Sequence, residues 1–394
     1  MTSDDSAPSV VRRDGSPAAK VTVAVIPRER WSASARSLDS VLARTGADVP
    51  IVWVDAGTPP DLRRRLTRRF ATRPGVTVVQ GRGYVAPNRA RNLAVERVAT
   101  PYVAFVDNDV LVAPGWLEAL VACAEATSAW AVGPLCQQGP WRSDEVHVAG
   151  GDARIEVEDG RRRLVERQAW LGAPAAEVRR TAARARTELA EFHAILVRCS
   201  ALAAIGGLDE DLPSFGEHTD FCLRVREAGG EVWFEPRAVV TYLPPARLTA
   251  TDLPFFVARW SPAWNRRSRD RFAARWGLPA TDERLAHTMG FAEDHRRSWV
   301  RPWSLGRLLS RGPRRTLRRA LDGLLSPWLL ARARGRGTAG LDPRPLFRGV
   351  DPFLGPRGPL AAGSRVFPPP AGPPPAGGGA PLPQSSLPSP TVAG

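Results

Sequence analysis

The chain has few cysteines and no long apolar run, and these two absences exclude several classes of protein. Four cysteines occur in 394 residues and none forms a C-x-x-C pair, so neither a disulfide framework nor a cysteine zinc site is expected. No apolar run approaches the roughly 20 residues that a membrane-spanning helix needs. The first 20 residues are polar and lack the apolar core of a secretory signal. Together these features predict a cytoplasmic protein in a reducing compartment.

Positive charge is concentrated near the C-terminus. Residues 301–350 contain 12 Arg and 2 Asp, a net charge of +10, against +15 for the whole chain. Such a segment is suited to phosphate groups on nucleic acid or on anionic lipid. The arginines alternate with Leu and Trp as in an amphipathic helix, and no nucleic-acid-binding motif accompanies them, so no nucleic-acid partner is expected.

Composition divides the chain into four parts. Residues 1–18 are small and polar and are predicted to form a flexible tail, and residues 19–245 an α/β domain. Residues 246–335 are predicted to be a basic helical extension, and residues 336–394 a disordered tail. The last forty residues include 12 Pro and 8 Gly, a composition that cannot bury a core.

Apolar strands alternate with amphipathic helices in the first part of the α/β domain. Strands are predicted at residues 21–26, 51–54, 76–80 and 102–106, and helices at 34–44, 61–70 and 88–98. This alternation predicts a parallel sheet covered on both faces. Further helices are predicted at 114–126 and 221–228, and late strands at 192–198, 231–234 and 238–242. The charged residues 137–190 are predicted to be a variable loop region over the mouth of the site, with a basic helix near 175–189.

An acidic turn follows the strand at 102–106. Asp107 and Asp109 are separated by Asn108 at the carboxyl end of that strand, where ligands bind in open α/β sheets. Two carboxylates at this spacing can reach one hard divalent cation, and such a cation commonly carries a diphosphate. The motif alone leaves a solvated acidic turn as the alternative.

Five motifs in chain order resemble those of glycosyltransferase family 2, the inverting nucleotide-sugar transferases with the GT-A fold. They are VAVIPRE at 23–29, IVWVDAGT at 51–58, ARNL at 90–93, DND at 107–109, and GGLDE at 206–210 followed by GEHTDFCLR at 216–224. The resemblance covers residues 20–245. It implies a GT-A-like, Rossmann-type mixed sheet flanked by helices, with the helical extension and Pro/Gly-rich tail following it.

The resemblance also implies a chemistry, which is transfer of a sugar from a nucleotide-sugar donor to a hydroxyl acceptor. Lipid-linked acceptors and cell-envelope glycans are the acceptors considered. The expected cofactor is Mn²⁺ or Mg²⁺, held by Asp107 and Asp109. The residues expected to bind the nucleotide sugar are Pro27, Arg28, Glu29, Asp55, Arg91 and Asp107. Two of these have simpler alternatives, because Arg91 could be a surface residue and Asp55 a helix N-cap.

An inverting reaction needs one group to take a proton from the acceptor hydroxyl. The candidates are Glu217, Asp220 and His218. Glu217 is preferred, since Asp220 could instead cap the helix through Arg224. His218 occupies the place of a second acid in the family motif, and a neutral imidazole could also act as the base.

Three departures from the family pattern favour an alternative function. Ala56 replaces an acid that would contact the nucleobase of the donor. His218 replaces a second acid, and Tyr242 occupies the position where a metal-binding His is usual. The cation would then have one protein ligand fewer. The alternative is a degenerate glycosyltransferase-fold protein that binds a nucleotide or a partner without turnover.

The basic segment suggests where in the cell the protein is located. Within residues 307–335, four arginines at 314, 315, 318 and 319 precede leucines at helical spacing. This pattern suits the headgroup boundary of an anionic membrane and predicts peripheral attachment at its inner face. Packing of the apolar stripe on the catalytic domain is the alternative.

Overall fold

The computed structural model describes residues 20–28, 30–81, 83–139, 145–244 and 248–300. The strands are β1 Val21–Ile26, β2 Ile51–Ala56, β3 Val76–Gly81, β4 Tyr102–Asp107, β5 Val110–Val112, β6 Ala131–Gln138, β7 Glu145–Val148, β8 Gly151–Glu158, β9 Arg161–Gln168, β10 Ala185–Thr187, β11 Ala194–Arg198 and β12 Val232–Tyr242. The helices are α1 Trp31–Arg44, α2 Pro60–Phe70, α3 Pro87–Val95, α4 Trp116–Thr127, α5 Ala175–Thr181, α6 Cys199–Ala204, α7 Glu217–Glu227, α8 Leu253–Arg259, α9 Pro262–Trp276 and α10 Glu283–Val300.

A mixed sheet forms the centre of the fold, in the order β10-β12-β6-β11-β4-β1-β2-β3. Strands β4, β1, β2 and β3 are parallel, and β12 is parallel to β6. Strand β11 is antiparallel to both of its neighbours, β4 and β6. The predicted α/β class is therefore confirmed, and the antiparallel β11 makes the sheet mixed.

Burial on both faces explains why the early strands are continuous apolar runs. Every residue of β1, β2 and β4 is buried. Alternate side chains of these strands enter two cores, one beneath α1 and α4 and one beneath α3 and α7. The first core includes Val23, Val25, Leu38, Val106, Trp116 and Leu120, and the second Ala24, Val54, Ala90, Phe105, Phe221 and Val225. The parallel strands thus end together at one covered edge, where Asp107 lies.

The prediction that residues 137–190 are an irregular loop region was wrong apart from the basic helix near 175–189, part of which is observed as α5. The described part of this segment contains β7, α5, β10 and a hairpin of β8 and β9. Much of the hairpin surface is exposed and charged, so the apolar alternation that marks a strand is weak. Cross-strand ion pairs stabilise it instead, including Glu156 with Arg163 and Asp152 with Arg167, each at 2.6 Å.

Several predicted boundaries also differ. Helix α1 begins at Trp31 rather than at residue 34, and α3 ends at Val95 rather than at 98. Helix α7 begins at Glu217, four residues earlier than predicted, after Gly216 in a left-handed conformation with φ of 81°. The two late strands form one strand, β12, whose register shifts between Glu235 and Val239.

Helices α8, α9 and α10 lie within residues 253–300 and pack on the α/β domain. Phe272, Trp276 and Leu285 join Leu212 and Leu223 in one buried cluster. Within the described residues, no helix is long and apolar enough to cross a bilayer. The predictions for the two tails, at 1–18 and 336–394, and for the basic segment at 307–335 lie outside the described residues.

Candidate active site

Asp107 is the centre of a buried charge cluster at the end of β4. Its side chain is fully buried and receives the Nη1 of Arg28 at 2.5 Å and the Nη2 of Arg91 at 3.1 Å. Arg28 follows β1, and Arg91 lies on α3 with its guanidinium 4.0 Å from the ring centroid of Phe192. Parallel pairing of β1 with β4, which sets Ile26 opposite Asp107, brings Arg28 to the acid.

Arg91 is fully buried, so the alternative that it is a surface arginine was wrong. Burial lowers the pKa of Arg91 to about 10, while the charge of Asp107 opposes that shift. The guanidinium therefore remains charged at neutral pH. Its burial beside a carboxylate at a strand end places a fixed positive charge where a diphosphate could be bound.

The acidic turn is not solvated. Asp107, Asn108 and Asp109 are exposed by 0, 2 and 3%. Asn108 holds the turn in place, since its Oδ1 accepts from the backbone N of Arg28 at 2.8 Å and its Nδ2 donates to Ser34 Oγ at 2.7 Å. One ligand atom each of Asp107, Asp109 and His193 lies within 4.8 Å of the others, so these residues could hold a divalent cation.

Glu217 lies across Arg28 from Asp107. It is the first residue of α7 and is buried, with its Oε1 3.3 Å from Arg259 Nη2 and 3.8 Å from Arg28 Nη2. Burial acts to raise the pKa of Glu217, but the charges of Arg259, Arg28 and other cations outweigh it and leave that pKa below the usual value. Glu217 is therefore ionised at neutral pH, as a proton acceptor must be.

Asp220 belongs to a different set of contacts, although it is only three residues from Glu217. Its Oδ1 accepts from Trp276 Nε1 at 3.1 Å and lies 3.2 Å from Arg275 Nε, and its Oδ2 lies 3.6 Å from Arg224. Burial raises the pKa of Asp220, and its arginine partners act against that shift. These contacts join α7 to α9. His218, between the two acids, is partly exposed.

Comparisons with known proteins identify the family of part of the chain. Residues 22–167 match the family model described as Glycosyl transferase family 2. This part of the chain is a glycosyl transferase family 2 domain. The match confirms the resemblance drawn from the sequence motifs.

A pre-mycofactocin glycosyltransferase, found in two strains of Mycobacterium tuberculosis, is 31% identical over 159 residues. That alignment covers 40% of this chain and 30% of the relative, so the chain matches less than a third of the relative's length.

Two solved structures are similar to the chain. One is GalNAc-T7 with UDP, GalNAc and Mn²⁺, at 19% identity and a TM-score of 0.46, covering 70% of this chain and 54% of that one. The other is the mannosyltransferase PcManGT from Pyrobaculum calidifontis with GDP-Man and Mn²⁺. It is 16% identical, with a TM-score of 0.44, and the alignment covers 81% of this chain and 75% of that one.

Two further predicted donor residues, Asp55 and Pro27, lie at the same edge of the sheet. Asp55 is buried near the end of β2 and pairs with Arg63 Nε at 2.6 Å. The N-cap of α2 is Pro59, so the alternative that Asp55 caps this helix was wrong. Pro27 is buried directly after β1, and Glu29 lies outside the described residues.

Four residues of the candidate site were missed by sequence reasoning, namely Arg259, His147, Glu191 and His193. Antiparallel pairing of β11 with β4 sets Ala194 opposite Val106 and so brings His193 beside Asp107. No local motif indicates that pairing. Burial lowers the pKa of His193 well below its usual value, so its imidazole is neutral.

Tyr242, at the position where the family often has a histidine, contributes its ring to this cluster. The ring centroid lies 4.4 Å from that of His193 and 5.1 Å from that of His147. The imidazole of His193 therefore lies near the aspartate pair, and it comes from the segment before β11 rather than from the last strand.

Proposed function

We propose that the chain transfers a sugar from a nucleotide-sugar donor to a hydroxyl acceptor, with inversion at the anomeric carbon and with Mn²⁺ or Mg²⁺ as cofactor. One observation carries this proposal. The guanidinium of Arg28 contacts Asp107 through Nη1 and approaches Glu217 through Nη2. The candidate donor-binding acid and the candidate base are thus one guanidinium group apart, as a transfer between two bound substrates requires.

The donor side consists of carboxylates and arginines with separate tasks. Both oxygens of Asp107 are paired with arginines, so Asp109 is the carboxylate that we assign first to the cation, with Asp107 beside it. Carboxylate oxygens are the ligands that Mn²⁺ and Mg²⁺ prefer. The bound ion would neutralise negative charge on the diphosphate. Arg91 and Arg28 add two fixed positive charges toward the same leaving group.

The acceptor side depends on Glu217. As the acceptor oxygen bonds to the anomeric carbon and the bond to the diphosphate breaks, the hydroxyl proton passes to the Glu217 carboxylate. Its lowered pKa keeps it ionised before the reaction. Asp220 is assigned to the contact between α7 and α9, since its partners are Trp276, Arg275 and Arg224. His218 is the third candidate for the base.

The test begins with a panel of uridine and guanosine diphosphate sugars, titrated into the full chain by calorimetry with and without Mn²⁺. A donor that binds in a Mn²⁺-dependent manner is then assayed for hydrolysis and transfer. Turnover supports an enzyme, whereas binding without turnover of any donor supports the degenerate binding protein. A donor affinity that is the same with and without Mn²⁺ would contradict the cation assignment.

Glu217→Gln tests the base. We expect unchanged donor affinity and a loss of turnover of roughly 10²- to 10⁴-fold, the usual value of a positioned base. Glu227→Gln, on the exposed end of the same helix, is the matched control and should behave as the wild type. Full activity in Glu217→Gln, together with an inactive but folded Asp220→Asn, would move the role to Asp220.

A further inference from the structure

Two of the chain's five histidines converge with a glutamate beside the aspartate pair. His147 lies on β7, and Glu191 and His193 lie in the segment just before β11. The Nε2 atoms of the two histidines are 3.1 Å apart. Glu191 Oε2 lies 3.4 Å from His193 Nε2 and 3.6 Å from His147 Nε2. Three ligand atoms from separate positions in the chain therefore form a small, nearly equilateral triangle.

The size of this triangle is that of one face of a tetrahedral metal site. Ligand bonds of about 2.0–2.2 Å to a tetrahedral ion separate the ligand atoms by about 3.3–3.6 Å. The three measured distances lie at or close to this range. Hydrogen bonding accounts less well for the arrangement, because only the pair of imidazoles lies within the usual donor–acceptor distance of 2.7–3.2 Å.

We propose that His147, Glu191 and His193 bind a divalent transition metal of the zinc class, with a fourth position open to water. Imidazole nitrogens suit zinc and its neighbours, whereas Mg²⁺ is bound by oxygen ligands. Two histidines and one glutamate form a recurring ligand set of zinc sites that keep an open position. The site is chemically distinct from the aspartate pair, which offers hard oxygen ligands to the donor's cation.

Neighbouring side chains hold the three ligands in place, as outer-shell residues do at metal sites. Gln168 Nε2 donates to Glu191 Oε1 at 2.5 Å, which leaves Oε2 directed at the imidazoles. Tyr242 packs against both histidine rings. His193 Nδ1 lies 3.8 Å from Asp107 Oδ2. The ring of His193 thus faces the metal triangle with one nitrogen and the donor site with the other.

Cobalt binding provides the test, because Co²⁺ takes zinc sites and absorbs visible light with an intensity that reports its coordination. The full chain is stripped with a chelator and titrated with Co²⁺ in excess Mg²⁺, which occupies oxygen sites. We expect one equivalent of tightly bound Co²⁺ with the spectrum of a four-coordinate site, displaced by Zn²⁺. X-ray absorption of the Zn²⁺-loaded wild type should show imidazole ligands, a measurement that needs no variant.

His147→Ala and Glu191→Gln should each weaken Co²⁺ binding by more than the roughly 10- to 100-fold typical of an outer-shell residue. His287→Ala, at an exposed position of α10, is the matched control and should bind as the wild type. Asp109→Ala should also retain Co²⁺, since it lies in the other site. The proposal is overturned if the wild type shows no imidazole-ligated ion, if both ligand variants bind normally, or if only Asp109→Ala abolishes binding. Circular dichroism confirms that each variant compared is folded.

Discussion

Asp109 is the residue whose substitution separates donor binding from folding most directly. It is buried, and its backbone carbonyl accepts from Leu243 N at 2.9 Å, a contact that a side-chain substitution retains. Asp109→Ala should abolish the Mn²⁺-dependent part of donor binding, because the first-assigned carboxylate is lost, and circular dichroism checks that the variant is folded. Calorimetry with and without Mn²⁺ measures this. The same donor affinity as the wild type under both conditions would show that the cation lies elsewhere.

Arg259 sets the basicity of Glu217, so its replacement should change the pH dependence of transfer. The charge of Arg259 is the largest influence that lowers the pKa of Glu217. Arg259→Met should raise that pKa, and since the base works only when ionised, the acid limb of the pH–rate profile should move to higher pH. Arg259→Lys retains the charge and is the matched control, with a smaller shift expected. An acid limb that does not move in Arg259→Met would mean that another group is the base.

Sequence motifs indicated the acids of the candidate site, but they did not indicate all of the residues that contact those acids. Asp107, Asp109, Arg91 and Glu217 lie in local motifs at strand or helix ends, where a single chain segment indicates a role. His193 and Arg259 carry no such motif, and they reach the site through strand pairing and through packing of α8. Those long-range contacts depend on topology, which local patterns do not specify.

At the scale of helices, Asp209 in the glycine-rich turn before α7 forms ion pairs with two arginines of α9. Its Oδ2 lies 2.7 Å from Arg271 Nε and 2.6 Å from Arg275 Nη2. Asp209→Asn should lower the free energy of unfolding at neutral pH by about 1–2 kcal/mol, less than a fully buried pair because both arginines reach solvent. Chemical denaturation of the two proteins measures this difference.

The pH dependence of that difference follows from the pKa of Asp209. Burial acts to raise this pKa, but hydrogen bonds from Arg271 and Arg275 bring it below the ordinary 3.8. A depressed pKa stabilises the folded state above the unfolded value, and the contribution is lost as the pH falls through the folded value. The gap between wild type and Asp209→Asn should therefore close below pH 3.8. If the difference in the free energy of unfolding persists below that pH, it arises from the shape of the side chain rather than from its charge.

Elements were predictable where they bury apolar residues on both faces. Strands β1, β2 and β4 are buried along their whole length and were predicted to within two residues of their observed bounds. The hairpin of β8 and β9 was missed because its strands are rich in charge, and only Ala153 and Leu164 among its residues are buried. Cross-strand ion pairs, which do not produce an apolar period, replace the usual signal.

At the scale of the whole molecule, the sheet order explains how distant segments form one site. The carboxyl ends of β1, β2 and β4 meet at one edge, and β11 runs in the opposite direction, so its first residues arrive at that edge as well. The order of the motifs in the sequence could predict that β1, β2 and β4 end at this edge, since parallel strands end together. It could not predict β11, because a strand inserted antiparallel between β4 and β6 has no distinct sequence pattern.

The basic segment at residues 307–335 lies outside the described residues, and its sequence alone predicts attachment to an anionic membrane. Arg314, Arg315, Arg318 and Arg319 precede an apolar stripe, and each arginine near an anionic surface contributes about 1 kcal/mol. Changing all four to Gln in the full chain should weaken binding to anionic vesicles at low salt by up to roughly a thousandfold. Co-sedimentation measures this. The matched control changes Arg64, Arg65, Arg68 and Arg69 of the basic helix α2, which removes the same charge elsewhere. If both variants lose binding equally, net charge rather than this segment is responsible, and if the wild type does not bind at low salt, the membrane role is wrong.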